Sequence, residues 1–276
     1  MKYLATNTLS LFETLVKLAP ESSKTTLRSW IKEGRITING DIVKKGSCLV
    51  RPGQTVALGA KKCNIKGLFQ ILFEDSHIVV IDKPSGLLSV ATANERERTV
   101  HSFLKERYRK VYVVHRLDRD TSGVMLFALS EEAYDRLDTL FEKHEIKRSY
   151  TGIVEGKLEA SSGKWESYLY EDEQYLVHSS PIAGQGKRAI THFEVKNFSQ
   201  MFSFVLFTLE TGKKNQIRVH CQDAGHPIAG DKKYGAITDP IKRLCLHAHL
   251  LSFLHPITQK PLTFISPPPR EFDFRN

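Results

Sequence analysis

The stretch VVHRLDRDTSGVMLFALS, residues 113–130, places five ionisable side chains within six positions and then continues as an apolar run. The run 124–129 is rich in apolar and aromatic residues and predicts a strand. Thr121-Ser122-Gly123 before it is a turn signal. The sequence therefore predicts a loop that exposes Asp118 and Asp120 at a strand end, where functional side chains are often presented.

The sequence around this loop indicates an α+β domain and not a regular alternation of strands and helices. Several strand patterns follow one another with hairpin-like turns, so we predict a mixed, largely antiparallel sheet flanked by helices. The predicted strands are 68–73, 77–81, 111–114, 124–129, 150–154, 189–195, 202–209 and 216–220, and the predicted helices are 99–110 and 130–146.

The first 58 residues have a different pattern. SSKTTLRSWIKEG, residues 22–34, has serines as N-caps, apolar residues at helical spacing and a final glycine, so it predicts a helix. RITINGDIV, residues 35–43, alternates apolar and polar residues around Asn39-Gly40, a strong hairpin signal, and Pro52-Gly53 predicts a second turn. We expect a small domain over 1–60, a linker over 61–67 and a larger domain over 68–276.

Positive charge is concentrated in this N-terminal part. The 276-residue chain has a formal net charge of +9, and residues 1–66 hold 12 Lys+Arg against 4 Asp+Glu, a surplus of +8. A basic helix-and-hairpin module favours binding to phosphates, and a merely solvated basic face is the alternative. The side chains that we expect to contact RNA here are Lys24, Arg28, Lys32, Arg35, Lys44 and Lys45.

Composition excludes several other classes. The sequence has no apolar window near the roughly 18 residues of a membrane span, and Glu13 interrupts the N-terminal segment where a secretory signal would continue, so we expect a cytoplasmic protein. The four cysteines lack the density or spacing of a disulfide scaffold. Cys245, His247 and His249 alternate as on one strand face and could bind zinc, but no fourth ligand is evident, so we expect no metal.

Two family resemblances extend these predictions. LRSWIKEGRITINGDIVKKGSCLVRPGQTVAL, residues 27–58, resembles an S4-type RNA-binding domain, and the likeness begins near Leu9. HRLDRDTSG, residues 115–123, matches the HRLDxxTSG signature of the RluA-type pseudouridine synthases. Other segments similar to that family follow the expected order: IDKPSGLL (81–88), KRSYTGIVEG (147–156), TGKKNQIRVHCQDAGHPIAGDKKYG (211–235), and LHAHLLSFLHPITQKPLTF (246–264) with PPPREF (267–272).

The second resemblance implies an enzyme that converts uridine in RNA to pseudouridine without a cofactor. We expect a monomer that acts on large-subunit ribosomal RNA, with transfer RNA as the alternative substrate. It implies that Asp118 is the nucleophile, that Arg218 pairs with it and that Tyr150 stacks on the flipped base. Among RNA contacts, the resemblance assigns Arg116 to the gap left in the RNA. His115 is expected either to contact a phosphate or to order the loop, and Lys83 is the basic residue of the Lys-Pro motif.

The chain also departs from the family pattern. TGKKNQIR stands where TGRTHQIR is usual, so Lys213, Lys214 and Asn215 replace Arg, Thr and His, which affects the expected target more than the chemistry. One alternative function is an RNA-binding protein that lacks catalysis. A less favoured one is a metal-dependent aspartyl-phosphate phosphatase, because Asp118-Arg119-Asp120-Thr121 carries the paired aspartates and the threonine that such enzymes place after a strand.

Overall fold

The computed structural model describes residues 2–32, 34–58, 68–92 and 98–272. It divides into two compact units, residues 1–64 and 65–276. The predicted linker 61–67 lies outside the described residues. No helix in the described part of the chain is long and apolar enough to cross a membrane.

In the N-terminal unit, two helices pack on a small antiparallel sheet. Ser23 Oγ accepts a hydrogen bond from the Thr26 N–H at 3.1 Å and so caps the predicted helix, and Gly34 ends it with a φ of +67°. Asn39 and Gly40 both have positive φ, as a two-residue hairpin requires. The predicted helix and hairpin are therefore confirmed. The elements are β1 (Lys2–Leu4), β2 (Leu9–Ser10), α1 (Leu11–Leu18), α2 (Lys24–Lys32), β3 (Ile36–Ile38), β4 (Asp41–Ile42), β5 (Leu49–Val50) and β6 (Thr55–Leu58), with β1-β6-β3-β4 as one sheet and β2-β5 as another.

The second unit is built on one large sheet whose described strands pair antiparallel except where β10 meets β16. This confirms the α+β class with a largely antiparallel sheet. The strands are β7 (Gln70–Glu74), β8 (Ile78–Lys83), β9 (Tyr112–Val113), β10 (Ser122–Ala128), β11 (Lys147–Glu155), β12 (Ser162–Glu171), β13 (Val177–Ser180), β14 (Lys187–Phe198), β15 (Phe202–Leu209), β16 (Leu246–Leu254) and β17 (Pro261–Ile265). Their order is β13-β12-β14-β15-β11-β16-β10-β8-β7, with β17 beside β16 and β9 beside β10.

Among the described residues of this unit, three helices and two short 3₁₀ turns accompany the sheet. They are α3 (Val100–Arg107), α4 (Glu131–Glu142), α5 (Gln216–Asp223), Lys232–Tyr234 and Arg270–Phe272. The central strand β10 is buried on both faces: Met125 and Phe127 join a cluster with Leu104 of α3, whereas Leu126 joins one with Leu137 of α4. Burial on both faces explains why this strand is a continuous apolar run.

One predicted strand, 216–220, is wrong, because these residues form helix α5. In the sequence Ile217, Val219 and Cys221 alternate with polar residues, which is the period of a strand. In the structure Ile217 and Cys221, four positions apart, pack into the main core, while Val219 packs into a different cluster. A helix that buries apolar side chains against two clusters produces the same alternation, so periodicity could not separate the two structures.

Candidate active site

Side chains of the segment 83–89, which begins with Lys83-Pro84, hold the charged loop between β9 and β10 by hydrogen bonds. Ser89 Oγ donates to the Leu117 carbonyl at 2.7 Å and accepts from the Leu117 N–H at 3.1 Å. Ser85 Oγ donates to the carbonyl of Asp120 at 2.8 Å. The backbone on both sides of Asp118 is therefore fixed by side chains of the preceding motif.

Lys83 also helps to fix this loop. It is 1% exposed, and its Nζ donates to the carbonyls of Pro84, Leu87 and Arg119 at 2.8–2.9 Å. Burial lowers the pKa of Lys83 to about 7, and the charges of Asp120 and Asp118 oppose that shift. Because the three donors of an ammonium group are all used, the prediction that Lys83 contacts RNA is wrong: it ties two loops together.

Gly123 allows β10 to approach β16. Its φ is +112°, and a Cβ at this position would lie 2.2 Å from the Ala248 carbonyl oxygen. The neighbouring Ser122 Oγ is 2.9 Å from His247 Nδ1 and accepts from Arg243 Nη2 at 2.7 Å. The Thr-Ser-Gly turn thus fixes the start of β10, and with it the position of Asp118.

Arg218 links two carboxylates that are far apart in sequence. Its Nε and Nη2 donate to the two oxygens of Asp231 at 2.6 and 2.7 Å, a bidentate pair, and its Nη1 donates to Asp118 Oδ2 at 3.1 Å. Asp231 is only 2% exposed. Burial by itself lowers the pKa of Arg218, but its bonds and charge interactions with Asp231, and then with Asp118, outweigh burial and raise that pKa. A fixed, permanently charged guanidinium therefore faces the Asp118 carboxylate.

Asn215 supplies a second donor to Asp118. Its Nδ2 donates to the same oxygen, Asp118 Oδ2, at 2.5 Å. Its own Oδ1 accepts from the Tyr234 hydroxyl at 3.0 Å, and that hydroxyl accepts from the Val177 N–H at 3.3 Å. Asn215 has a φ of +52°, a left-handed conformation that asparagine adopts more easily than most residues. The amide is thereby fixed with its N–H₂ toward Asp118.

Tyr150 lines the same cavity as Asp118, Asn215 and Arg218. It lies on β11 where the pairing with β16 shifts register, a bulge that redirects a side chain. Burial raises the pKa of Tyr150, and the charge of Asp118 adds to the increase while Arg148 opposes it. Tyr150 is therefore a neutral phenol near pH 7. The structure brings the three predicted catalytic residues to one cavity.

Arg116 and His115 sit differently although they are neighbours. Arg116 is exposed and also lines the cavity. His115 Nε2 accepts the Leu126 N–H at 2.9 Å, and its ring stacks on Phe141. Burial, with a contribution from Arg148, lowers the pKa of His115 to about 3. His115 is thus neutral and orders the loop, which is the second of the two roles considered for it.

In the N-terminal unit, three of the predicted RNA-contacting residues line one groove. Arg28 and Lys32 of α2 face Lys44 across it, and Arg28 lies over the ring of Phe12 at 5.5 Å. Lys24 and Lys45 are exposed, and Arg35 lies over the ring of Trp30 at 5.5 Å. An open groove with basic walls and an aromatic ring suits a nucleic-acid backbone.

Sequence reasoning did not identify the roles of Asp231, Tyr234 and Asn215. In the sequence, Asp231 and Tyr234 stand out only as members of the segment 211–235, and Asn215 only as a departure from the family motif. The signal available was the segment GDKKYG, which carries Asp231 and Tyr234. Its spacing gave no indication that both residues contact Arg218, Asp231 by hydrogen bonds and Tyr234 through its ring at 4.8 Å.

The described residues contain no group of three or more His, Cys, Asp or Glu side chains placed to hold a metal ion. The three residues of the zinc alternative are engaged otherwise. His247 and His249 each have a ring nitrogen within 3.1 Å of the Ser266 carbonyl, and Cys245 Sγ is 3.7 Å from the Arg243 carbonyl.

Comparisons with known proteins agree with this geometry. A family model described as RNA pseudouridylate synthase matches residues 77–223, and an S4 domain model matches residues 11–56. The chain is 33% identical to an uncharacterized RNA pseudouridine synthase, YhcT, of Bacillus subtilis, over 93% of this chain and 89% of that protein. It is 31% identical to the ribosomal large subunit pseudouridine synthase D of Vibrio cholerae, over 93% and 87%.

Among solved structures, the chain resembles human RNA pseudouridylate synthase domain containing 1, with a TM-score of 0.60 and 23% identity over 72% of this chain and 83% of that one. This likeness concerns the fold. The phosphatase alternative is wrong, because the family match and the largely antiparallel sheet both contradict it.

Proposed function

This chain belongs to the RNA pseudouridylate synthase family, and from that premise we propose that it isomerises specific uridines of large-subunit ribosomal RNA with Asp118 as nucleophile. Enzymes of this family are isomerases that act on RNA, so the chain is an RNA pseudouridine synthase. The nucleophile, the roles of its neighbours and the ribosomal target are the parts that we propose.

The observation that carries the proposal is the double hydrogen bond to one oxygen of Asp118. Arg218 Nη1 and Asn215 Nδ2 both donate to Oδ2, and neither of them donates to Oδ1. Two donors on one oxygen fix the carboxylate in one orientation. Its second oxygen is left to act on the substrate.

The reaction then follows from the positions of these groups. Asp118 acts at the ribose of the flipped uridine, either by bonding to C1′ or by promoting departure of the base, and the N1–C1′ bond breaks. The released uracil rotates while it is held, and C5 forms the new bond to C1′; on the covalent route the bond between Asp118 and C1′ breaks in this step. C5 then loses its proton and N1 gains one, so that no atom or electron is lost or added overall.

Tyr150 and Arg116 serve the base and the RNA in this proposal. Because Tyr150 is neutral and lines the cavity, its ring can stack on the uracil during rotation without placing a negative charge beside Asp118. Flipping a nucleotide out of a helix costs a few kcal/mol. The exposed guanidinium of Arg116, next to the cavity, is positioned to enter the space that the nucleotide vacates.

Two observations support ribosomal RNA as the substrate. The N-terminal unit matches an S4 domain and has an open basic groove. The relative from Vibrio cholerae is named for the large ribosomal subunit, and the likeness to it covers both units. Transfer RNA is the alternative target, and mapping the modified position separates the two.

A direct test incubates the protein with total RNA from a strain that lacks it and maps pseudouridine at single-nucleotide resolution. We expect new sites in large-subunit ribosomal RNA, no metal requirement in excess chelator, and no sites with Asp118→Asn. Asp120→Asn is the matched control, since Asp120 is exposed on the same loop and we expect it to retain activity. Activity of Asp118→Asn equal to that of the parent would exclude Asp118 as nucleophile.

The same experiment tests the rival function, an RNA-binding protein without catalysis. This rival rests on the departures from the family pattern in TGKKNQIR, residues 211–218. Asn215, one of the altered residues, donates to Asp118 and leaves the pair with Arg218 intact. If the protein binds ribosomal RNA but forms pseudouridine in none of the RNA supplied, the rival function is the correct one.

A further inference from the structure

The turn between β12 and β13 presents an aromatic ring to solvent. Tyr175 is 73% exposed and has a φ of +61°, a conformation that large side chains rarely adopt. Asp172 holds the turn in place, because its carboxylate accepts the N–H groups of Gln174 and Leu176 at 2.9 and 2.8 Å. A turn of this shape does not need a tyrosine. An exposed ring on a strained backbone therefore suggests that Tyr175 has a role other than folding.

Two lysines converge on this turn. Lys214 Nζ and Lys233 Nζ donate to the Tyr175 carbonyl at 3.1 and 3.4 Å, and Lys214 Nζ lies 5.7 Å from the centre of the Tyr175 ring. Burial, and then the charges of Arg218 and Lys214, lower the pKa of Lys233. Lys214 also forms an ion pair with Glu171, and Arg218 is paired with Asp231 and Asp118, so Lys233 is the cation here that a phosphate would stabilise most.

The turn adjoins the catalytic network. Val177, two residues after Tyr175, donates its N–H to the Tyr234 hydroxyl, which in turn donates to Asn215. Lys214 directly precedes Asn215, and Lys233 directly precedes Tyr234. Lys233 and Arg218 also line one shared cavity. A ligand at the turn would therefore lie next to whatever occupies the catalytic cavity.

We propose that this turn is a subsite for a nucleotide beside the target uridine, in which the Tyr175 ring stacks on an unpaired base and Lys214 and Lys233 bind its phosphate. An aromatic ring beside two ammonium groups is the combination that binds single-stranded nucleic acid. The subsite gives Lys214, a departure from the family motif, a role in substrate recognition. It rests on the proposed function, since it presumes that RNA occupies the catalytic cavity.

The test measures pseudouridine formation in an unmodified transcript of large-subunit ribosomal RNA. Tyr175→Asn removes the ring but tolerates the left-handed backbone, so it should fold normally. We expect its KM to rise about tenfold, the typical loss of one stacked base, with kcat changed less than twofold. Tyr175→Trp should keep the parental KM because it keeps the ring. Lys214→Gln with Lys233→Gln should lower the slope of log K against log salt by about 0.7, the value for one phosphate of a single strand.

Phe198→Asn is the matched control. Phe198 is 56% exposed and has Lys157 Nζ 4.4 Å from its ring centre, but it lies at the far end of the β14–β15 hairpin from the cavity. We expect its KM to stay within twofold of the parent. The subsite is refuted if Tyr175→Asn keeps the parental KM, or if Tyr175→Trp is as impaired as Tyr175→Asn.

Failure of the proposed function gives a different result. If the parent forms no pseudouridine in the transcript, filter binding of that transcript still compares the variants. Weaker binding by Tyr175→Asn, with parental binding by Phe198→Asn, would support the subsite even then. Equal binding by both would refute the subsite as well.

Discussion

In residues 1–64, five of the six cations proposed to contact RNA are exposed and Arg35 is half-buried. In residues 65–276, Lys83 is buried and hydrogen-bonded to three carbonyls, and the Arg218 side chain is 11% exposed and paired with two carboxylates. The exposed side chains can follow a phosphate backbone of variable shape. Arg218 has one geometry, set by both oxygens of Asp231.

The difference in exposure indicates two different roles for positively charged side chains. An exposed lysine contributes to binding through long-range attraction that salt weakens. Arg218 is held by two carboxylates and is largely enclosed, so salt screens its charge weakly and the charge acts mainly on Asp118. We therefore expect substitutions in the first group to change RNA affinity and its salt dependence, and substitutions in the second group to change kcat.

The largest effect should come from Arg218→Lys. Lysine retains the charge but cannot bind Asp231 through two nitrogens while a third reaches Asp118, so we expect kcat to fall about 100-fold, or ~2.7 kcal/mol, with KM changed little. Single-turnover kinetics with saturating RNA measures this. Arg188→Lys is the control, because Arg188 is exposed and pairs with Glu166 alone through its Nε. Equal activity of the two variants would contradict a geometric role for Arg218.

The sequence predicted the elements that depend on local signals. Asn39-Gly40 has the backbone that a tight hairpin demands, and the serine caps and Gly34 bound their helix as expected. These predictions are correct because a few neighbouring residues determine the conformation. The prediction of a strand at 216–220 was wrong because the conformation of these residues depends on the clusters that pack around them. Periodicity in the sequence does not carry that information.

The sequence predicted which residues form the site, but it did not predict the hydrogen bonds that hold them in place. The family motif indicated Asp118, Tyr150 and Arg218, and the structure brings all three to one cavity. Asp231 lies 13 residues after Arg218 with a turn between them, so their pairing depends on the folded chain. Lys83 was assigned to RNA from its charge, and only its three carbonyl acceptors show that the charge is used internally.

A smaller effect should follow from Asn215→Asp, which tests the second donor to Asp118. Aspartate has nearly the same shape, tolerates the left-handed backbone and can still accept from Tyr234. Only the donor to Asp118 becomes an acceptor. Loss of this donor should lower kcat about tenfold, and because two adjacent carboxylates favour protonation of one of them, the acid limb of the variant's pH profile should move to higher pH.

The control for this variant is Asn197→Asp, at an exposed position on β14. It makes the same chemical change outside the cavity, so its pH profile should match that of the parent. An unshifted acid limb for Asn215→Asp would mean that Asn215 supports the fold and does not act on Asp118.

The smallest effect should come from the exposed cations of the N-terminal groove. Lys32→Gln with Lys44→Gln removes two charges that line it, so we expect RNA affinity at moderate salt to fall by about threefold to tenfold, the salt slope to drop by about 1.4, and kcat to stay unchanged. Lys17→Gln with Arg51→Gln removes the same charge from exposed positions that do not line the groove. If both double variants lower the slope equally, net charge governs binding and the groove has no specific role. If only the first double variant lowers the slope, the groove contacts phosphates. The cations of the groove then differ from Arg218 in what they bind: they contact RNA, whereas Arg218 holds Asp118.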